Sequence, residues 1–75
     1  MNFLVMGFEK GKDALIYEHE ISLPVQDLMR VMRWNNSADC IGADFFISPA
    51  QAEEISNLAL NIFPADLDLY LSSCE

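Results

Sequence analysis

Asp44-Phe45-Phe46-Ile47-Ser48-Pro49-Ala50-Gln51 turns a strand into a helix with no linker between them. Phe45, Phe46 and Ile47 suit a short, buried, pleated segment. Ser48 has the oxygen to cap the N3 amide, and the Gln51 side chain has the reach to return to the cap amide. Pro49 fits the first helical position, where its missing N–H costs nothing. The helix that follows is expected to bury Ala52, Ile55, Leu58, Ala59 and Ile62 and to expose Glu53, Glu54, Asn57 and Asn61. Pro64 is its stop signal.

Downstream of that helix, residues 66–72 alternate. Leu67, Leu69 and Leu71 point one way, and Asp66, Asp68, Tyr70 and Ser72 the other, as in a half-buried strand. Upstream, residues 2–8 read as a strand of Phe, Leu, Val and Met. Residues 9–13 form a polar loop around Gly11, and residues 14–21 alternate again. In that second strand Leu15, Tyr17, His19 and Ile21 are assigned to one face, and Ile16, Glu18 and Glu20 to the other. Pro24 opens a first helix whose core side is Val25, Leu28, Met29 and Met32, ending near Trp34-Asn35-Asn36-Ser37. Residues 35–43 read as a loop. The element order is ββαβαβ. The expected fold is α+β, a two-layer sandwich with a mostly antiparallel sheet and both helices on one face, so that the second face meets solvent.

Seventy-five residues make one domain with a thin core. Hydrophobic residues are 52% of the chain, too many for a disordered acidic segment. The opening Met1-Asn2-Phe3-Leu4-Val5-Met6-Gly7-Phe8 has no basic n-region and meets charge at Glu9 and Lys10, so it does not read as a secretory signal. No apolar run is long enough to span a bilayer. A cytoplasmic protein is expected, with Cys40 and Cys74 as reduced thiols. Met6, Met29 and Met32 are expected to fill gaps in the core, and Trp34 to lie over it as a lid.

The net charge of −8 is unevenly placed. Residues 1–33 carry Glu9, Asp13, Glu18, Glu20 and Asp27 against Lys10, Lys12, Arg30 and Arg33. Residues 34–75 carry Asp39, Asp44, Glu53, Glu54, Asp66, Asp68 and Glu75 and no base at all. Such a field repels nucleic acid and anionic lipid and accelerates encounters with basic partners. An acidic surface also simply keeps a small protein soluble.

Catalytic constellations are missing from the pattern. His19 is the single histidine, no Cys-x-x-Cys is present, and no glycine-rich phosphate loop occurs. The carboxylate pairs Glu18 with Glu20, Asp66 with Asp68, and Glu53 with Glu54 have no nucleophile or pocket signature beside them. No enzyme activity, no cofactor and no metal is therefore expected; an acidic-site enzyme or metal binder is the least favoured reading. Two binding surfaces are expected instead. The first is the open sheet face, with Glu18, Glu20, Asp66, Asp68 and the aromatic anchor Tyr70. The second is the acidic side of the later helix, Glu53 and Glu54, with the loop acids Asp39 and Asp44. Glu53 and Glu54 also complement the helix dipole, which is a sufficient structural reason for them.

The stretch from Asp39 to Ile55, with its Asp39-Cys40 loop, short strand, Pro49-x-Gln51-Ala52 helix start and a later acid-rich strand, resembles a pattern in a family of small bacterial domains. Small acidic domains of this kind resemble the immunity proteins that neutralise bacterial toxins, whether bacteriocins or contact-dependent inhibitors. The resemblance implies a cytoplasmic protein that binds a cognate basic toxin domain, a nuclease acting on RNA or DNA. It assigns no functional residues. The alternative is a self-associating structural or adaptor domain, a homodimer with no toxin partner.

Overall fold

The computed structural model describes residues 2–35 and 44–74, the side chains of Ser73 and Cys74 excepted. Its elements are β1 (Asn2–Glu9), β2 (Leu15–Ser22), α1 (Val25–Met32), β3 (Asp44–Ile47), α2 (Pro49–Ala59) and β4 (Leu67–Cys74). This is the ββαβαβ order and the α+β class read from the sequence. The expected loop over residues 35–43, with Asp39 and Cys40, lies almost wholly outside the described residues.

The four strands form one antiparallel sheet in the order β2-β1-β4-β3. β1 and β4 are the interior strands. Val5 pairs with His19 on one side and Leu71 on the other, and Gly7 pairs with Tyr17 and Leu69. Residues at these positions face the helices. Phe3, Val5, Ile21, Ile47, Leu69 and Leu71 join Leu28 and Val31 of α1, Ile55 of α2 and Phe63 in a single buried cluster. Phe3, Val5, Leu28, Ile55 and Leu71 are fully enclosed, each contributing roughly 1.5–3 kcal/mol of burial. Both helices therefore cover the same face of the sheet. Gln51 Nε2 ties them together by donating to the Val31 carbonyl at 3.3 Å.

Local chemistry explains the helix boundaries. Ser48 and Gln51 form the full capping box: the Gln51 N–H donates to Ser48 Oγ at 3.2 Å, and the Ser48 N–H to Gln51 Oε1 at 2.9 Å. Such a cap contributes about 1 kcal/mol. Pro24 stands at the cap of α1, just outside its first turn, and offers its carbonyl to the Asp27 N–H at 3.1 Å. Both helices end on a left-handed residue that is not glycine. Arg33 has φ 59° and Leu60 φ 54°. The Trp34 and Asn61 amides close these ends by donating to the Met29 and Ser56 carbonyls.

Four expectations are corrected. The register shifts between Gly7 and Phe8, so Leu15 pairs with Phe8 and Ile16 is skipped; Leu15 does not continue the Tyr17 face, because the extra residue inverts the alternation. Helix α2 ends at Ala59 rather than near Pro64, and this swings Ile62 out to 90% exposure. Met6 is half-buried on the face away from the helices. Val31, rather than Met29, is the deepest α1 residue after Leu28.

Gly7 sits in a tight gap of the sheet. A Cβ built there would stand 2.7 Å from Leu67 Cδ1 and 3.0 Å from Tyr17 Cβ. The side chains of the two flanking strands close over the gap that the glycine leaves. Trp34 packs as expected, half-buried against the core with its ring 4.9 Å from that of Phe45. His19 lies on the helix side, exposed, with its ring against Phe63.

Candidate functional site

The helix-free face of the sheet follows from strand alternation. Opposite the core positions of β1 stand Asn2, Leu4, Met6 and Phe8. Their cross-strand partners are Glu20, Glu18 and Leu15 on β2, and Ser72, Tyr70 and Asp68 on β4. On β3, Phe46 pairs with Tyr70 and Asp44 with Ser72. None of these residues is buried.

Leu4, Met6 and Phe8 run down β1 as an apolar strip. Tyr70 extends it sideways. Its ring stands 5.6 Å from Phe8 at 88° and 5.6 Å from Phe46 at 73°, so three aromatic rings are in edge-to-face contact. Phe46 is 55% exposed. Carboxylates border the strip: Glu18 and Glu20 on the β2 side, Asp68 beside Phe8, and Asp44 at the β3 edge. None of the four strands contains Lys or Arg. An apolar centre with a charged rim is the usual anatomy of a protein-binding patch.

Five of the residues expected from sequence share this face: Glu18, Glu20, Asp44, Asp68 and Tyr70. The first expected surface loses one member and gains another. Asp66 precedes β4 in a bend, exposed but off the strand. Asp44 alternates with Phe45, which pairs with the core residue Leu71, and so joins the open face rather than the acidic side of α2. The second expected surface is thereby divided. Glu53 and Glu54 are exposed on α2, in the other layer, and Asp39 lies outside the described residues.

Leu4, Met6, Phe8 and Phe46 were not expected on the binding face. The signal was present in β1, where both alternating sets, Phe3/Val5 and Leu4/Met6/Phe8, are apolar. A strand that is apolar on both sides, in a sheet with helices on only one, must leave an apolar face uncovered.

Two concavities adjoin the face. One, of about 350 Å³, is lined by Phe8, Gly11, Lys12, Asp13, Asp44, Asp68 and Tyr70. The other, of about 330 Å³, lies between α2 and the start of β4 and includes Ile62, Phe63, Pro64, Leu67 and Glu53. Among the described residues no group of three or more His, Cys, Asp or Glu is placed to hold a metal ion, and no helix is long and apolar enough to cross a membrane. Compared with family models, curated proteins and solved structures, the chain matches none.

Proposed function

We propose that this chain is an immunity-type binding protein that docks a basic toxin domain, a nuclease, through the helix-free face of its sheet. One observation carries the reading: the strip of Leu4, Met6, Phe8, Tyr70 and Phe46 is bordered by Glu18, Glu20, Asp44 and Asp68, with no Lys or Arg on any of the four strands. The apolar centre supplies the burial that gives affinity, and the carboxylate rim supplies steering and choice of partner. A nuclease domain carries the matching positive field, because it must attract phosphate. Covering its cationic groove would exclude nucleic acid without any chemistry on the part of the inhibitor.

Exposed Leu15 and Ile16 on the edge strand β2 give the self-associating reading some support. A second copy, however, would present the same acids to Glu18, Glu20, Asp44 and Asp68. Like charges meeting across an interface oppose that arrangement.

The test is growth. The partner held by the tagged chain at low salt and released at high salt is expressed alone and together with this chain. Arrest by the partner alone, relieved by co-expression, supports the proposal. A harmless partner overturns it, as does recovery of the chain by itself, which favours the homodimer.

A further inference from the structure

The cavity beside the β1–β2 loop has a composition that selects among basic side chains. Phe8 and Tyr70 form an aromatic wall, and Asp13, Asp44 and Asp68 supply carboxylates. The cation that also lines it, Lys12, reaches outward to Glu9 at 3.7 Å. Among the described residues, none of the three aspartates has an ion pair. A metal ion is a poor occupant, because these carboxylates do not converge as ligands. A neutral group would leave the negative lining uncompensated. Lysine brings a compact charge that is more strongly hydrated and stacks on a ring less readily. Arginine brings a flat, weakly hydrated guanidinium, able to lie against a ring face while its fork of N–H donors reaches separate carboxylates.

We infer that this cavity is a socket for an arginine side chain presented by the basic partner. The inference rests on the preceding reading that the open face docks such a protein, and it names the anchor. The face of one of the two perpendicular rings, Phe8 or Tyr70, backs the plane of the guanidinium, Asp68 beside Phe8 receives its N–H groups, and Asp44, further along opposite Ser72, adds to the negative field. Asp13 and Lys12 form the loop-side lip, where the ammonium of Lys12 competes weakly with the incoming charge.

The whole chain, labelled with nitrogen-15, is titrated with Nα-acetyl-arginine amide and separately with the neutral isostere Nα-acetyl-citrulline amide. Saturable shifts at Phe8, Gly11, Asp13, Asp68 and Tyr70 with arginine, and none with citrulline, support the socket. Asp68→Asn, which keeps shape and removes charge, should weaken arginine binding about fivefold, the order of a partly exposed charge pair. Lys12→Gln should strengthen it. Equal responses to citrulline, shifts confined to Glu53 and Glu54, or an Asp68→Asn spectrum that is folded yet binds unchanged would each overturn the socket. If arginine ignores the cavity while a toxin still docks on the open face, the socket fails and the immunity reading stands. If arginine fills the cavity but no toxin is neutralised, the reverse holds.

Discussion

The ring of Tyr70 stands at 88° to that of Phe8, 5.6 Å between centroids, on the one side of the sheet that no helix covers. Paired rings of this kind contribute about 0.5–1.5 kcal/mol beyond the area they bury, so Tyr70 serves both the fold and the exposed surface. Phe46, on the edge strand β3 and 55% exposed, contacts the same ring from the other side. It has far less to contribute to stability. Phe46→Ala should cost the folded state under about 1 kcal/mol while weakening partner binding about tenfold or more, as loss of an aromatic anchor does. Thermal unfolding and calorimetric titration of the partner measure the two effects. A variant that melts much earlier, or that binds as tightly as the parent, would remove Phe46 from the docking surface.

Gly7→Ala sets two effects against each other. Alanine restricts the unfolded chain and fits a strand better, a gain of about 0.4–1 kcal/mol. The new methyl, however, would meet Leu67 Cδ1 at 2.7 Å and Tyr17 Cβ at 3.0 Å. Overpacking costs typically 1–3 kcal/mol, so net destabilisation is expected. In a Leu67→Ala background the penalty should shrink, since one of the two clashing atoms is gone. Urea unfolding of all four species closes the cycle, and a stabilising Gly7→Ala would contradict the packing described.

Leu60→Gly should stabilise the protein. Leu60 holds φ at 54°, is 92% exposed, and gives up almost no buried surface when replaced. A left-handed residue with a Cβ carries a penalty of roughly 1–2 kcal/mol that glycine avoids, offset in part by the freer unfolded chain. A net gain of about 0.5–1 kcal/mol would raise the melting temperature by several degrees in a domain of this size. A fall in melting temperature would show that Leu60 is held by contacts the structure does not contain.

Added salt should also stabilise the chain. Among the described residues the ion pairs Lys12–Glu9 at 3.7 Å and Arg30–Asp27 at 3.6 Å are surface pairs within one turn or loop, and such pairs contribute little. Repulsion among twelve acids against four bases is the larger quantity to be screened. Melting in buffer with about 0.5 M sodium chloride should therefore occur at a higher temperature than at low ionic strength, whereas partner binding should weaken. Salt-induced destabilisation would mean that attractive pairs dominate.

What the sequence revealed depended on how far each signal reaches along the chain. Ser48, Pro49 and Gln51 specify the start of α2 because cap, first residue and return bond lie within one turn. Leu67, Leu69 and Leu71 specify the inward face of β4 because alternation is local. The skipped Ile16 has no such mark. A one-residue irregularity is set by the partner strand, and it moved Leu15 to the position opposite Phe8. The end of α2 was misplaced for a related reason. Pro64 is visible from sequence, but the left-handed turn at Leu60, without a glycine, is not, and helical spacing alone therefore places Ile62 in the core. For the candidate surface, alternation grouped Glu18, Glu20, Asp68 and Tyr70 correctly. It did not show that Asp44 and Phe46 would lie beside them, because that requires the β3–β4 register.

The last element in chain order, β4, lies in the interior of the sheet, between β1 and β3. Until it arrives, the β1–β2 hairpin and the β3–α2 unit have no strand in common, and each keeps an open edge. The meeting of β1 with β4 is thus the step expected to limit folding, a long-range closure that costs entropy before any pairing repays it. Val5→Ala and Leu71→Ala should slow refolding more than Ser48→Ala does; equal slowing would place the barrier elsewhere. A nascent chain of this protein therefore carries the Leu4, Met6 and Phe8 strip without its β4 neighbour, open to misassociation, until β4 has been made.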